Sequence, residues 1–247
     1  MQNKGDGKLN TLVYGRNPVT EVLRGDRPVE KVLVQNGAGG SVGKIIALAK
    51  NKGLRIQTVS KKELDELTGG ASHQGVACLT AEFEYADLDE VLEMCDSSSI
   101  LVLLDEIEDP HNLGAVMRTA ECVGVKGIVI TKHRSCGLTE TVAKTSAGAI
   151  EHIPCVRVTN MSNAIDRLKS EGFWICAADM DGASMWSCDL KGKLAIVIGS
   201  EGRGVSRLVK EKCDFVASIP MEGKINSLNA SNAAAVLLYE ALRQRSL

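Results

Sequence analysis

The sequence predicts an α/β protein with two modules, a small one followed by a larger one that is built on a parallel sheet. The chain has 247 residues, of which 44% are apolar, so each module can bury a core of its own. Short apolar runs alternate with segments of helical period over the first 80 or so residues, and the alternation starts again at Ile100. Runs such as 194–198 have the length of a strand and are far too short to span a membrane. Strands that alternate with helices favour a parallel sheet covered on both faces.

The first module is predicted to cover residues 1–81. Asn17 and Pro18 are expected to open a helix that Gly25 closes, since Asn caps helices and Pro suits the first turn. Ser60 and Glu63 have the spacing of a capping box in front of a further helix. The remaining elements are strands in VEKVLVQ, LRIQTV and GVACLTA and a helix in SVGKIIALAKNKG. Residues 82–99 contain an acidic helix and a Ser-rich break, which predict a linker.

The second module is predicted to cover residues 100–247. Its strands are expected in ILVLLDE, GIVIT, IPCVRV, FWICAADM, LAIVIGSE and FVASIPM. Ligands of such sheets bind beyond the carboxyl ends of the strands, where the strand order reverses. We therefore expect the chemistry of the protein in this module.

Charge is distributed unevenly along the chain, although the net charge is only −2. Residues 1–62 carry 12 Lys or Arg against 4 Asp or Glu, whereas residues 63–96 carry 10 Asp or Glu and no Lys or Arg. A basic N-terminal block is expected of a module that faces phosphates. A solvated charged surface explains the same pattern equally well.

The cysteine and histidine patterns argue against disulfides and metals. The eight Cys form no CxxC pair, and the four His show no metal spacing with Cys, so we expect reduced thiols and no metal. The start, MQNKGDGKLN, lacks the apolar stretch of an export signal. The sequence therefore predicts a soluble cytoplasmic protein with no membrane partner.

Two strand ends of the second module carry unusual chemistry. In DEIEDPHNLGAVMRTAECVG, Asn112 is either a helix cap or part of a site, and Arg118, two turns later, is either functional or a surface cation. In VIGSEGRGVSRL, three Gly surround Glu201 directly after a buried strand. This is not GxGxxG and follows a late strand, so a dinucleotide site is not favoured. Glycines here would let the backbone approach a ligand closely, while a solvent-facing Glu201 is the simpler alternative.

The third strand end, SIPMEGKINSLNASNAAAV, concentrates polar side chains before the final helix. One helix needs one cap, whereas this segment offers five amide or hydroxyl groups that suit a ligand with polar edges. They are Asn226, Ser227, Asn229, Ser231 and Asn232. The small residues that follow, at 233–235, would let another segment of chain pack closely.

These three stretches resemble the SpoU (TrmH) family of RNA ribose 2′-O-methyltransferases. The resemblance lies in NLGAVMRTAECVG, IVIGSEGRGVS and IPMEGKINSLNASNAAAVLLYEALRQ. LVYGRNP and ASHQGVACLTA are similar to the N-terminal RNA substrate-binding domain of that family, which has an L30e-like fold. The resemblance therefore covers nearly the whole chain.

The resemblance implies a fold, a cofactor and partners. It implies a SPOUT-type α/β catalytic domain with a C-terminal trefoil knot, S-adenosylmethionine as cofactor, and a homodimer that acts on RNA but not on DNA. The most similar type methylates a guanosine of large-subunit (23S) ribosomal RNA, free or in a ribosome-assembly intermediate. The same chemistry on tRNA is an alternative, and so is an RNA-binding ribosome-assembly protein without activity. A nucleotide-cofactor enzyme is less favoured, because LVLLDEIEDPHNLG stands where its Gly-rich turn would be.

The resemblance also assigns site residues. It implies a catalytic set of Asn112, Arg118, Glu201, Ser227 and Asn229, a cofactor-binding set of Gly199, Ile219 and Leu228, and no metal. Asn232 departs from the family pattern, where an apolar residue is usual. Methyl transfer needs alignment of the ribose oxygen and removal of its proton. Arginine is normally locked in its protonated form, so Arg118 either acts as an unusual base or clamps a phosphate while Glu201 or water takes the proton.

Overall fold

The computed structural model describes residues 9–246, which group into two compact units. The first eight residues of the predicted N-terminal domain, with two Lys of its basic block, lie outside the described residues. The first unit contains the described residues through Glu84 together with Leu138–His152, and the second contains Tyr85–Gly137 and the chain from Ile153 onward. The predicted domain boundaries stay a prediction.

In chain order the described elements are β1 (Leu9–Tyr14), α1 (Arg16–Arg24), β2 (Val29–Gln35), α2 (Val42–Asn51), β3 (Arg55–Val59), α3 (Lys61–Leu67), β4 (Val76–Ala81), α4 (Leu88–Glu93), β5 (Ile100–Asp105), α5 (Pro110–Cys122), β6 (Gly127–Thr131), α6 (Glu140–Thr145), a short 3-10 helix (Ala149–Glu151), β7 (Cys155–Val158), α7 (Met161–Ser170), β8 (Trp174–Ser184), β9 (Leu194–Gly199), α8 (Arg207–Lys212), β10 (Phe215–Ser218) and α9 (Ala230–Arg245).

The first unit is built on a four-stranded sheet in the order β1-β4-β2-β3. β2 and β3 are parallel, and β4 runs antiparallel to both of its neighbours. α1 and α2 bury Val19 and Ile45 against one face of the sheet, and α3 buries Leu64 against the other. The unit is therefore a small α/β sandwich, as the sequence predicted.

Two helix starts of the first unit test the capping rules. The capping box is confirmed: the Glu63 N–H donates to Ser60 Oγ at 3.1 Å, and the Ser60 N–H donates to Glu63 Oε2 at 2.8 Å. These bonds lower the pKa of Glu63. The prediction that Asn17 caps α1 was wrong, because Gly15, with φ of 97°, occupies the cap position and makes no side-chain bond.

Residues 138–152 join the first unit although they lie between two strands of the second. The Leu12 N–H donates to Glu140 Oε1 at 3.2 Å. Arg27 and Glu151 form an ion pair at 3.0 Å, with only 10% and 6% of their side chains exposed. His152 Nε2 lies 2.8 Å from Glu21 Oε2. The segment thus completes the first unit through a buried ion pair and through side-chain hydrogen bonds.

The second unit is built on the predicted parallel sheet, with strand order β10-β8-β9-β5-β6-β7. All five strand pairs are parallel. Every residue of the neighbouring strands β5 and β9 is buried, which fits a sheet covered on both faces. The strand order reverses between β5 and β9, so the loops that follow these two strands begin side by side. Within the segment predicted as a linker, α4 packs Val91 into this core.

β8 contains a five-residue interruption of its pairing with β10. Val216 pairs with Ala177, but the next residue, Ala217, pairs with Ala183. Residues 178–182, here called the β8 bulge, leave the ladder between these two pairs. A Cβ on Gly182 would lie 2.5 Å from the Val216 carbonyl oxygen, so the end of the bulge accepts no side chain.

The last helix, α9, packs against α5 and buries Ala234, Leu237 and Ala241. The small residues predicted to allow close packing thus include one that is fully buried. The knot implied by the family resemblance stays a prediction. Among residues 9–246, no helix combines the length and apolarity that crossing a bilayer requires.

Glu240 and Gln244 fasten the end of α9 to the loop after β8. Arg243 donates to both carboxylate oxygens of Glu240, at 2.9 and 2.8 Å, and Gln244 Nε2 donates to Glu240 Oε1 at 2.8 Å. Gln244 Oε1 in turn accepts the Leu190 N–H at 2.9 Å. The hydrogen bonds from Arg243 and then Gln244 lower the pKa of Glu240 to about 2. The carboxylate is therefore stabilised in its ionised form.

We expect Glu240→Gln to lower the free energy of unfolding by about 2 kcal/mol at pH 7, since charge-assisted hydrogen bonds are lost. The folded-state pKa lies below the unfolded one, so this contribution is complete above the unfolded pKa and is lost as pH falls toward about 2. Urea unfolding at pH 7 and at pH 3 measures the difference. Glu211→Gln is the control, because its pair with Arg207 is exposed on both sides. A Glu240 effect that is as large at pH 3 as at pH 7 would contradict this assignment.

Candidate active site

Asn112 lies in the first turn of α5 and is only 7% exposed. The helix is capped by Asp109, whose Oδ1 accepts the His111 N–H at 2.9 Å, and Pro110 follows as its first residue. The reading of Asn112 as the cap was therefore wrong. Because another residue caps the helix, the Asn112 amide is available to bond across the edge of the sheet.

Three side chains from the three polar strand ends bond to one another. Asn112 Nδ2 donates to Glu201 Oε1 at 2.8 Å, and Asn229 Nδ2 donates to Asn112 Oδ1, also at 2.8 Å. Asn229 Nδ2 also donates to Glu201 Oε1. We call these three residues the polar triad. Two amides thus fix one oxygen of Glu201, while Oε2 makes no hydrogen bond within residues 9–246.

Asn229 also caps α9. Its Oδ1 accepts the N–H groups of Ser231 and Asn232 at 2.9 and 3.3 Å, and the Ser231 hydroxyl at 2.6 Å. The carbonyl end of the amide therefore belongs to the helix and the NH2 end belongs to the polar triad. This double role accounts for part of the Asn and Ser cluster, because the side chains of Asn229 and Ser231 both take part in the cap.

A cavity of about 570 Å³ opens beside the polar triad. Its volume is in the range of sites for small organic ligands. It lies between the loop after β9 and the loop from β10 to α9, with the β8 bulge contributing to its wall. Six residues of the catalytic and cofactor-binding sets implied by the resemblance line it: Gly199, Glu201, Ile219, Ser227, Leu228 and Asn229.

The glycines of the loop after β9 are required by the loop itself. A Cβ on Gly199 would lie 2.0 Å from the Gly204 carbonyl carbon, so the chain folds back onto its own strand end. The Gly204 N–H donates to the backbone carbonyl oxygen of Ser200 at 2.9 Å and closes the loop. Close approach to a ligand, the reason expected from the sequence, is therefore not needed to explain Gly199.

Arg118 is separate from this arrangement. It lies on α5 with Asn112, but its side chain is exposed and it does not line the cavity. Within the described part of the chain it makes no hydrogen bond or ion pair. Its role stays a prediction, and in this chain its guanidinium is open to an external partner.

Sequence reasoning missed Asp179 and Met180, two residues of the β8 bulge that line the cavity. A signal for Asp179 was present, because in FWICAADM an acid follows an apolar strand run, and polar residues after apolar runs drew attention to the other strand ends. Two carboxylates, Asp179 and Glu201, therefore line one cavity. Arg203 also lines the cavity, but its guanidinium lies 3.5 Å from Glu106, which partly offsets its charge. Such a wall suits a ligand that offers hydroxyl donors or positive charge.

Two protein families match consecutive parts of the chain. Residues 99–239, which include the polar triad and most of the cavity wall, match the SpoU rRNA methylase family. Residues 12–86 match the substrate-binding domain of RNA 2′-O ribose methyltransferases.

Relatives and solved structures of similar extent are known. The chain is 47% identical over 239 residues to a protein of Bacillus subtilis (strain 168) named as a TrmH family tRNA/rRNA methyltransferase, YacO, and the match covers 95% of this chain and 96% of that one. The SpoU methyltransferase AviRb of Streptomyces viridochromogenes, solved with the cofactor AdoMet, is 24% identical with a TM-score of 0.82 and covers 95% of this chain and 90% of its own. The structure of an RNA 2′-O ribose methyltransferase is 26% identical with a TM-score of 0.81, and the match covers 96% of this chain and 89% of that one.

We expect Asn229→Ala to lower the free energy of unfolding by about 1–2 kcal/mol, because it removes a cap and leaves Asn112 and Glu201 without a shared donor. Asn232→Ala is the matched control, since Asn232 gives the cap only its backbone N–H, and we expect a change within about 0.5 kcal/mol. Urea unfolding of both variants measures the difference. Equal effects of the two substitutions would show that the Asn229 side chain has no special structural role.

Proposed function

The chain belongs to the SpoU rRNA methylase family of RNA methyltransferases, and from this premise we propose that it transfers a methyl group from S-adenosylmethionine to a ribose 2′-hydroxyl of RNA. The observation that carries the proposal is the polar triad. Three side chains from three separate strand ends, each implied by the family resemblance, bond to one another beside a cavity of ligand size.

The cavity fits S-adenosylmethionine in its size and in its chemistry. Its lining combines apolar side chains such as Ile219 and Leu228 with the carboxylates of Asp179 and Glu201, which suits an adenosyl group with an attached cation. The Ser200 hydroxyl in the wall is buried and has no partner within residues 9–246, so a bound ligand could satisfy it. We propose Gly199, Ile219 and Leu228 as cofactor-binding residues.

When bound, the cofactor supplies an activated methyl group, so the protein must chiefly position the acceptor and manage one proton. The two amides hold Glu201 by Oε1, which leaves Oε2 as an acceptor for a ribose hydroxyl. Ser227 lines the same cavity and can donate to the substrate or accept from it. The exposed position of Arg118 supports a phosphate-holding role, because a guanidinium binds phosphate oxygens bidentately. Glu201 is then the preferred proton acceptor, with water as the alternative.

For the substrate we propose a guanosine of large-subunit ribosomal RNA, with tRNA as the alternative. The proposal of a ribosomal substrate rests on the family resemblance and on the match to a family of rRNA methylases. The name shared by the curated relatives covers both kinds of RNA. The first unit matches an RNA substrate-binding domain and carries most of the basic N-terminal block. A binder without activity is disfavoured, because it would not need the polar triad.

The function is tested with tritiated S-adenosylmethionine and unmodified ribosomal RNA, with unmodified tRNA in a second arm. We expect label on the ribose of RNA and none on DNA of the same sequence, because only RNA carries the 2′-hydroxyl. Labelling of tRNA alone would reject the ribosomal substrate, and labelling of neither RNA would reject the activity.

Within the same assay, Arg118→Ala is expected to lower kcat/KM by about a hundredfold, or about 3 kcal/mol of transition-state stabilisation. Arg118→Lys should not rescue it, since an ammonium lacks the planar fork. Glu201→Gln should lower kcat and flatten its pH dependence if Glu201 accepts the proton. Arg207→Ala serves as the control, because Arg207 is also exposed but lies on α8, where it pairs with Glu211. Near-normal turnover of Arg118→Ala would remove Arg118 from the site.

We also propose that the protein is a homodimer. Ile225, in the loop before α9, and Tyr239, on α9 itself, are 77% and 54% exposed, and exposed large apolar side chains are a feature of subunit interfaces. A two-fold dimer is the commonest soluble assembly. Light scattering should give twice the chain mass at micromolar concentration, and Ile225→Glu should shift the protein toward the monomer. A monomeric wild-type protein would refute the proposal.

A further inference from the structure

The β8 bulge brings a carboxylate into the cavity that the polar triad does not use. Asp179 lines the cavity, and 20% of its side chain is exposed. None of its bonds reaches Asn112, Glu201 or Asn229. An acid placed in a ligand cavity by an interruption of a strand requires an explanation of its own.

The position of Asp179 is fixed by its surroundings. Its Oδ1 accepts the Met180 N–H at 2.7 Å, and its Oδ2 lies 3.0 Å from Lys210 Nζ on α8. A Cβ on Gly204 would lie 3.3 Å from the same Oδ2, so the carboxylate packs closely against the loop after β9. Among residues 9–246 each oxygen thus has one N–H donor, the Asp181 side chain lies close by, and each oxygen keeps a further lone pair for a ligand.

The partners of Asp179 favour an uncharged donor as its ligand. The Lys210 ammonium, which Asp179 shares with Asp181, offsets part of the negative charge of the Asp179 carboxylate, and this makes Asp179 a weaker counter-ion for a sulfonium or an ammonium group. The Asp179 oxygens can still accept hydrogen bonds from hydroxyls, because a hydroxyl donor carries no net charge and needs only a free lone pair. In the Rossmann fold, another sheet with parallel strands, a single acid hydrogen-bonds the ribose hydroxyl of NAD, which shows that a carboxylate suits this ligand group.

We propose that Asp179 binds the ribose hydroxyls of S-adenosylmethionine and so contributes to cofactor recognition. The inference rests on the proposed function, because it assigns the adenosyl group to the same cavity. This role of Asp179 also explains the β8 bulge. A regular strand would carry its side chains to alternate faces of the sheet, whereas the bulge places Asp179 in the wall of the cavity.

Asp181 provides a matched control. It lies in the same bulge and bonds to the same lysine, with Lys210 Nζ at 2.6 Å from its Oδ1. Its side chain is 69% exposed, and it does not line the cavity. Asp179→Asn and Asp181→Asn therefore remove the same charge from the same segment, but only the first changes the cavity.

The test is isothermal titration of the wild type and both variants with S-adenosylmethionine and with 5′-methylthioadenosine, which keeps the ribose but lacks the amino-acid part and the sulfonium charge. We expect Asp179→Asn to weaken both ligands by a similar factor of about ten or more, as loss of a charge-assisted hydrogen bond implies. Asp181→Asn should change neither by more than about twofold. Thermal unfolding midpoints within a few degrees of wild type establish that the variants are folded.

Each other outcome has a distinct meaning. A loss confined to S-adenosylmethionine would make Asp179 a counter-ion for its cationic part and would overturn the ribose assignment. Unchanged binding, or an equal loss in Asp181→Asn, would overturn the role of Asp179 altogether. Failure of the wild-type protein to bind either ligand would instead refute the proposed function. As a direct check, 3′-deoxy-5′-methylthioadenosine should bind the wild type more weakly than the parent compound, with a smaller difference for Asp179→Asn.

Discussion

The side-chain amide of Asn229 connects the start of the last helix to the polar groups at the edge of the parallel sheet. Its oxygen accepts the N–H groups that begin α9, and its nitrogen donates to Asn112 and Glu201. An amide has its acceptor at one end and its donors at the other, so the helix cap determines which way the donors point. Aspartate would keep the cap but lose the donors, and serine would lose one function or the other. The geometry of Glu201 therefore depends on how α9 begins, and α9 is held at its far end by Glu240 and Gln244.

The sheet supplies the second condition for the site. β5 and β9 are neighbours although α5, β6, α6, the 3-10 helix, β7, α7 and β8 separate them in sequence. Their buried residues leave little freedom for either strand to shift. Their loops consequently start side by side at the reversal of strand order. The polar side chains could be predicted to meet because this rule depends only on strand order and direction. The sequence also predicted β2, the capping box at Ser60 and the parallel sheet, all of which follow from local periodicity or fixed spacing.

Other features could not be predicted, because they depend on contacts between distant segments. The strand run FWICAADM shows no sign that the ladder with β10 skips five residues, since the skip is defined by pairing with Val216 and Ala217. Of the two alternatives for Asn112, the helix cap was wrong for a local reason: Asp109 precedes Pro110, and together they form the better helix start. Arg118 has the spacing of a site residue, yet sequence spacing does not reveal that its helix turns it toward solvent.

Residues 138–152 constrain how this protein can be divided or recombined. Glu140 and Glu151 are partnered by Leu12 and Arg27 of the first unit, while the chain on both sides of the segment belongs to the second. A gene fragment that starts at Tyr85 would encode this segment without its partners and would leave the Glu151 carboxylate with no arginine. The N-terminal module therefore cannot be gained or lost as one continuous stretch of sequence. A chimera that exchanges this module with a relative would have to carry two separate stretches of coding sequence. In evolution, substitutions at partnered positions of the two stretches are expected to depend on one another, although those positions lie more than a hundred codons apart.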